Sequence, residues 1–589
     1  MTEVVSPAGI LPHIPDNLTL AQFILDADHV RRPVRKNGAW IVDDQSGRKI
    51  GLEEVSVVNE NKQLFGGKCA KVHLRTRTYG LANALSIRYN IQEDDVVLIY
   101  SPNHTDYLVA AWAAHRLGAA VSGANPLFTV DELVYQINEV KAAVVITHPD
   151  SLNVALSSAH AAGVSTDRII LFDVEDADTA HKLTVQALVS QGLASVPNFT
   201  ERKLAPGEGK TKVAFLKFSS GTTGRPKAVA IPHYSPIANI IQLATHHKVG
   251  EEYADQRFKP GDICCGVLPL YHIYGLVFNV HYIFFCGMTL VLTAKYNFLD
   301  FLKSITRHRI THLMLVPPQI VLLCKHPAVK NYDFSHVRYI NSGAAPLSRE
   351  VMEQLAQIFP NAALGQSYGL TESGPVISSW ALDKKCDLSG GTGQLLPGII
   401  GRVEKPDGTL ADFDEPGELV VKTQALALGY ANNLEATKET FVNGWLRTGD
   451  EVMMNRKGEI VVLDRLKEML KVRGFQVAPA ELEGCILDHP DVTDTCVVGI
   501  QDEYSGELPL AFVVLRPEAV KRVEESLAAA EEIKASIMKH VAENKVGYKK
   551  LAGGVEIIDV VPKNPSGKLL RRVLRDKARE MRMKPKAKL

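Results

Sequence analysis

Neither sign of charge dominates this chain: 66 lysines and arginines offset 66 aspartates and glutamates over 589 residues. No bulk field therefore draws it to nucleic acid or to an anionic membrane. Cysteine is sparse, and Cys69, Cys264, Cys265, Cys286, Cys324, Cys386, Cys485 and Cys496 contain no C-x-x-C spacing. That pattern excludes a zinc ribbon and a disulfide framework, and fits buried thiols in a reducing compartment. Long hydrophobic runs are absent too. The most apolar stretch, 278–292, is interrupted by Asn279 and His281 and is shorter than a membrane span. The first thirty residues carry acids, His13 and several prolines but no apolar h-region, so the expectation is a soluble chain without a secretory leader. No internal repeat is visible, and the G-x-x-x-x-G-K-[ST] phosphate loop is missing.

What is present has the cadence of an α/β protein. Short apolar runs at 96–100, 143–147, 168–172, 289–292 and 314–316 alternate with helix-patterned segments at 106–117 and 131–138. At this length the chain holds at least two domains. Its texture changes near 464, giving a large multi-subdomain α/β region at 1–464 and a small α+β domain at 465–589, with 464–467 as the linker. A charged, Ala-rich helix is expected over 521–540. The run SSGTTGRPK at 219–227 follows an apolar strand pattern at 213–218. Glycines that let backbone N–H groups approach, hydroxyls that donate and cations that neutralise are suited to wrapping a polyphosphate.

Seven further motifs surround that loop. SGANPL at 122–127 precedes it; PLYHIYGL at 269–276, SGAAPL at 342–347, GQSYGLTESGPV at 365–376 and GWLRTGD at 444–450 follow. DRLKEMLKVRGFQVAPAELE at 464–483 and PSGK at 565–568 complete the order. In that order they resemble the motifs of the adenylate-forming superfamily: acyl-CoA ligases, beetle luciferases and peptide-synthetase adenylation domains. The likeness runs from about residue 14 to 573 and is most visible towards the 4-coumarate–CoA ligase-like branch, through DRLKE and GFQVAPAELE.

The resemblance implies ATP, Mg2+ and coenzyme A as cofactors, a small-molecule carboxylic acid as partner, and these roles. Ser219, Ser220, Gly221, Thr222, Thr223, Gly224 and Lys227 hold the outer phosphates. Thr371 bonds the α-phosphate and Glu372 ligates Mg2+, a hard cation suited to carboxylate and phosphate oxygens. Gly343, Ala344 and Ala345 cradle the adenine, with Gln366, Ser367, Tyr368 and Gly369 beside it. Asp450 takes the ribose hydroxyls, next to Arg465. Lys568 bridges the attacking carboxylate and the α-phosphate, supported by Lys471 and Gln476. His272 stands between the acyl and adenylate pockets, and the acid lies among Tyr274, Phe278, Asn341, Ala344, Gly369, Pro375 and Val376. Lys467 is the hinge and a nucleotide contact, while Lys295, Arg473 and Gly474 serve CoA.

Departures from the pattern reshape the acid pocket rather than name the acid. Ala228 stands where the loop usually continues with Gly, tolerable if its φ is negative. Ser367 replaces a common Gly, Asn341 a lysine of some coumarate ligases, and Phe278 a small residue. The implied activity is ligation of an aryl or medium-chain acid to CoA through an acyl-adenylate. A luciferase-like oxygenase and a carrier-protein-loading enzyme are the alternatives. Ala587, Lys588 and Leu589 form a small-basic-leucine tripeptide close to S-K-L, which implies a peroxisomal import receptor as partner and a peroxisomal matrix location, otherwise cytoplasmic.

Overall fold

Strand Val96–Tyr100 is apolar and buried at every position, as a strand covered on both faces must be. The computed structural model describes residues 3–35, 38–52, 74–174, 183–219, 226–252, 256–347, 349–466, 468–472, 475–502, 505–545, 547–563 and 569–583. Among them, Val96–Tyr100 lies within a seven-stranded sheet whose parallel part also contains Ala120–Ala124, Ala142–Thr147, Ile169–Leu171 and Val213–Ser219. Lys227–Pro232 and Gly429–Tyr430 add antiparallel strands on the side of Val213–Ser219. Helices begin where the sequence offers caps. Thr129 and Glu132 form a capping box at the start of Val130–Val140, and Gly118 ends Tyr107–Leu117 in the left-handed region.

A second, nine-stranded sheet runs in part through Ala363–Gly369, Tyr339–Ser342, His312–Leu315, Ile263–Gly266 and Thr289–Leu292, all parallel. A third sheet joins Ile400–Glu404, Gly417–Lys422, Trp445–Met454 and Ile460–Arg465 antiparallel. The segment Tyr274–Tyr282 forms a wholly buried π-helix. Local widening of this kind re-aims side chains and recurs at functional sites.

The small domain has its own sheet. Leu470–Val472, Phe475–Val477, Gly506–Leu515 and Val492–Asp502 pair antiparallel, and Gly554–Ile557 lies parallel beside Gly506–Leu515. Helices Pro479–Leu487 and Leu527–Asn544 share one apolar cluster with this sheet, whereas Leu574 and Ala578 of helix Arg571–Met583 pack with Cys496, Val498 and Phe512. The architecture is thus the large α/β region plus small domain expected. One helix differs: 521–540 is divided between Pro517–Glu525 and Leu527–Asn544 because Ser526 is extended between them. Serine favours such boundaries, where its hydroxyl does not compete inside a helix. Strand Ile460–Arg465 stays in the third sheet, so the domain division at 464/465 falls one residue inside it.

Candidate active site

Open α/β sheets bind ligands beyond the carboxyl ends of their strands, and here several such ends meet. Val213–Ser219 and Ala363–Gly369 deliver residues to one cavity of about 800 Å³, and Gly343 and Ala344, just past the end of Tyr339–Ser342, reach it too. A bulge between Tyr368 and Gly369 offsets the alternation of that last strand. Ser367, Tyr368 and Gly369 consequently all reach the cavity.

The polar end gathers charged groups. Ser219 and Lys227 flank it in direct register across their antiparallel pair. Lys227 Nζ lies 5.0 Å over the ring of Tyr430, whose hydroxyl donates to Glu372 Oε1 at 2.9 Å. Glu372 belongs to the turn Thr371–Ser373, and its carbonyl accepts the Ala427 N–H at 2.9 Å. Tyr368 donates its hydroxyl to Asp450 Oδ2 at 2.7 Å, and Arg465 Nε approaches Asp450 Oδ1 at 3.3 Å. Burial raises the Tyr368 pKa, and Asp450 raises it further, so the phenol keeps its proton to donate. For Arg465 burial opposes the charge, but Asp450 and Glu468 outweigh it and the guanidinium is held above its ordinary value. The segment before Asp450 is fixed in turn. Arg447 pairs with Glu404 at 2.7 Å and with Glu418, Glu418 accepts the Gly449 N–H at 3.1 Å, and Thr448 donates to Leu419 O at 2.7 Å.

The opposite end is aromatic. Tyr274 and Phe278 project from the π-helix with ring centroids 5.8 Å apart, beside Pro375 and Val376. Gly369 is dictated by contact: a Cβ there would stand 1.8 Å from Pro375 O, whereas one on Gly343 would only crowd the Tyr274 ring at 3.1 Å. Ala344 lines the cavity with φ near 70°, a left-handed conformation rare for a residue with a side chain. His272 lies on the wall between the two ends; its Nδ1 accepts the Tyr274 N–H at 3.3 Å, which puts the proton of the neutral ring on Nε2.

Three residues expected at the ligand face elsewhere. Asn341 is fully buried behind the wall, where its Nδ2 donates to Tyr274 Oη and its Oδ1 accepts from Ser367 Oγ, both at 2.7 Å. Gln366 turns inward and clamps Leu347, accepting its N–H at 2.8 Å and donating to its carbonyl at 3.1 Å. It braces the adenine-type turn from behind instead of lining the cavity, because its side chain lies on the buried face of its strand. Ala345 is not part of the cavity wall. Lys295 and Lys471 are exposed and likewise stand apart from that wall. Lys471 sits in strand Leu470–Val472, in register with Gln476, and its N–H donates to Glu507 at 2.8 Å. The small domain presents instead Lys563 and Leu570, which line the cavity. Ser220, Gly221, Thr222, Thr223, Gly224, Lys467, Arg473, Gly474, Lys568, the side chain of Gln476 and the last three residues lie outside the described residues. Ala228 is in extended strand, buried in an apolar cluster, and its φ is not positive.

Sequence reasoning passed over Tyr430 and Lys217. Tyr430 has the aromatic of a Gly-Tyr pair as its only signal. Lys217 was visible as a cation inside the apolar strand VAFLKFS. It is 2% exposed, and its Nζ donates to Tyr271 O at 3.1 Å and Leu270 O at 3.4 Å, just behind the wall formed by Gly123 and Tyr271. Burial brings its pKa down to about 7.

Comparison with known proteins agrees with this geometry. The AMP-binding enzyme family matches residues 72–431, and the AMP-binding enzyme C-terminal domain matches 481–568. The chain is 34% identical to 4-coumarate–CoA ligase 2 of Solanum tuberosum over 533 residues, covering 89% of this chain and 92% of that protein. It is 32% identical to 4-coumarate–CoA ligase 5 of Oryza sativa subsp. japonica over 577 residues, covering 96% and 95%. Among solved structures, the anthranilate CoA ligase AuaEII in complex with anthranoyl-AMP superposes with a TM-score of 0.78 at 21% identity, covering 96% of this chain and 98% of that one. The benzoate CoA ligase of Burkholderia xenovorans LB400 gives a TM-score of 0.76 at 22% identity, covering 95% and 100%. With its fold, its converging motifs and these relatives, the chain belongs to the AMP-binding, adenylate-forming enzyme family.

Proposed function

We propose that this protein is an AMP-forming carboxylic acid–CoA ligase acting on an aryl or medium-chain acid. The observation that carries the reading is one cavity with a charged end at Glu372, Lys227 and Arg465, Asp450 being buried just behind Tyr368 and Arg465, and an aromatic end at Tyr274 and Phe278. In the first half-reaction a carboxylate oxygen attacks the α-phosphorus of ATP, the bond to the β-phosphate oxygen breaks, and pyrophosphate leaves. Catalysis of such a displacement is mainly positioning and charge neutralisation. Ser219 and Lys227, with the loop between them, hold the departing phosphates. Thr371 donates to the α-phosphate, Asp450 accepts the ribose hydroxyls, and Lys568 neutralises the incoming carboxylate.

Glu372 offers the hard oxygen that Mg2+ prefers. Among the described residues no group of three or more His, Cys, Asp or Glu could hold a metal alone. Glu372 would hold the ion, which would supply neutralisation of phosphate charge.

In the second half-reaction the CoA sulfur attacks the acyl carbonyl and AMP leaves. Lys467 acts as the pivot on which the small domain turns, withdrawing Lys568 and presenting Arg473 and Gly474 to the thiol. Hinge alternation of this kind completes a different site in each state. In the present arrangement Lys563 and Leu570, on either side of Lys568, face the cavity while Lys471 is exposed, which supports assigning it to the adenylating state.

A panel of aryl, cinnamic and medium-chain acids tests the function. Acid and ATP without CoA should release pyrophosphate and leave acyl-AMP on the enzyme, and CoA should then yield thioester and AMP. Release of ADP would overturn the mechanism. Peroxisomal delivery is supported by the likeness of Ala587, Lys588 and Leu589 to S-K-L. A reporter carrying the last twelve residues should become punctate; a diffuse signal, or a punctate one that survives deletion of Leu589, would defeat it.

A further inference from the structure

Helix Pro479–Leu487 of the small domain has no basic residue in its last turn. The backbone N–H of Asp488 closes onto Cys485 O and Ile486 O, and the carbonyl of Leu487 is met from the other domain. Lys325, the last residue of helix Pro317–Lys325, donates its Nζ to Leu487 O at 3.2 Å. The last carbonyls of a helix lack intrahelical donors and carry the negative end of its dipole, so a cation there is favourable. Lys325 is half-buried; burial, and then Arg516, lower its pKa, and Asp488 and Asp494 of the small domain offset that only in part.

We propose that Lys325 is a positioning residue for adenylation. By capping helix Pro479–Leu487 it holds the small domain where Lys563 and Leu570 face the cavity. The proposal rests on the alternating-domain reading above. A turn of the small domain about residue 467 carries Leu487 away from Lys325, so the cap exists in one state and not in the other.

The test separates the half-reactions. Acid plus ATP, without CoA, reports pyrophosphate release; preformed acyl-AMP plus CoA reports thioester formation. Losing one charge-assisted hydrogen bond across a partly exposed seam should move the domain equilibrium about three- to ten-fold. Lys325→Met should slow the first half-reaction by that factor and leave the second unchanged or faster. Lys325→Arg should restore the balance. Lys568→Ala and Gly474→Leu, run alongside, report whether the two halves separate at all. If they separate but Lys325→Met slows both halves alike or neither, the positioning role is wrong. If Lys568→Ala and Gly474→Leu each abolish both halves while folded, the alternating-domain reading fails and the Lys325 proposal falls with it.

Discussion

At the polar end of the cavity Asp450 is gripped by Tyr368 and Arg465, and Glu372 by Tyr430; at the aromatic end Tyr274, Asn341 and Ser367 hold one another through neutral groups. Bonds to ionised groups are roughly twice as strong as neutral ones. The first end is thus a fixed electrostatic frame, suited to a nucleotide that is the same in every turnover. The second is a softer wall whose shape can change without disturbing that frame, which is where a choice among acids belongs. On the function proposed above, chemistry and selectivity are separated along one cavity.

Asp450→Ala attacks the frame and should have the largest effect. Truncating one partner of a buried hydrogen-bonded charge pair costs about 2–5 kcal/mol. Turnover should fall by roughly two to three orders of magnitude, by the same factor for every acid in the panel. A loss that differed strongly between acids would break the separation.

Phe278→Ala combined with Ser367→Gly attacks the wall. Extra room in a pocket changes discrimination by roughly ten- to two-hundred-fold per methylene accommodated. The ratio of kcat/KM for longer or para-substituted acids to that for short ones should rise by about ten-fold or more, with KM for ATP unchanged. Constant ratios along a chain-length series would place selectivity elsewhere.

Tyr430→Phe removes only the hydroxyl that steadies Glu372. The net worth of one hydrogen bond, about 0.5–1.5 kcal/mol, predicts a three- to ten-fold rise in the Mg2+ concentration needed for half-maximal rate. An unchanged Mg2+ dependence would detach Tyr430 from the metal-binding role proposed for Glu372.

Lys217→Met acts on stability rather than on the ratio between acids. The wild-type lysine has an ordinary pKa of 10.5 when unfolded and about 7 when buried. The folded state therefore binds fewer protons between those values, and wild-type stability rises with pH across that window. The melting temperature of the variant should exceed that of the wild type most at or below pH 7. The gap should shrink towards pH 10.5, and one that did not change with pH would refute the burial argument.

Much of the site could be read from the chain because the chemistry demands residue types at fixed local spacing. Thr371 and Glu372 share one turn, Ser219 and Lys227 flank one loop, and Gly369 is dictated by Pro375 a few residues on. What escaped reading depends on distant geometry. Tyr430 reaches Glu372 across 58 residues of sequence. Asn341 and Gln366 lie in strands adjoining the site, and residue type does not say which face of a strand meets the ligand. Lys471 stands away from the cavity because the orientation of the small domain decides its surroundings, and no local pattern encodes that orientation. The helix break at Ser526 reflects a single extended residue in a segment otherwise rich in helix formers.

Ser219 pairs with Lys227, and Lys563 bridges to Leu569. Each pairing brackets a segment assigned to phosphate or carboxylate. In polymer terms the fold has already brought the ends of each segment together, so the entropy of closing it belongs to folding and is not charged again when ligand arrives. Lengthening either loop should then weaken nucleotide binding gradually, logarithmically with added residues, whereas cutting one pairing strand should release the whole closure cost at once.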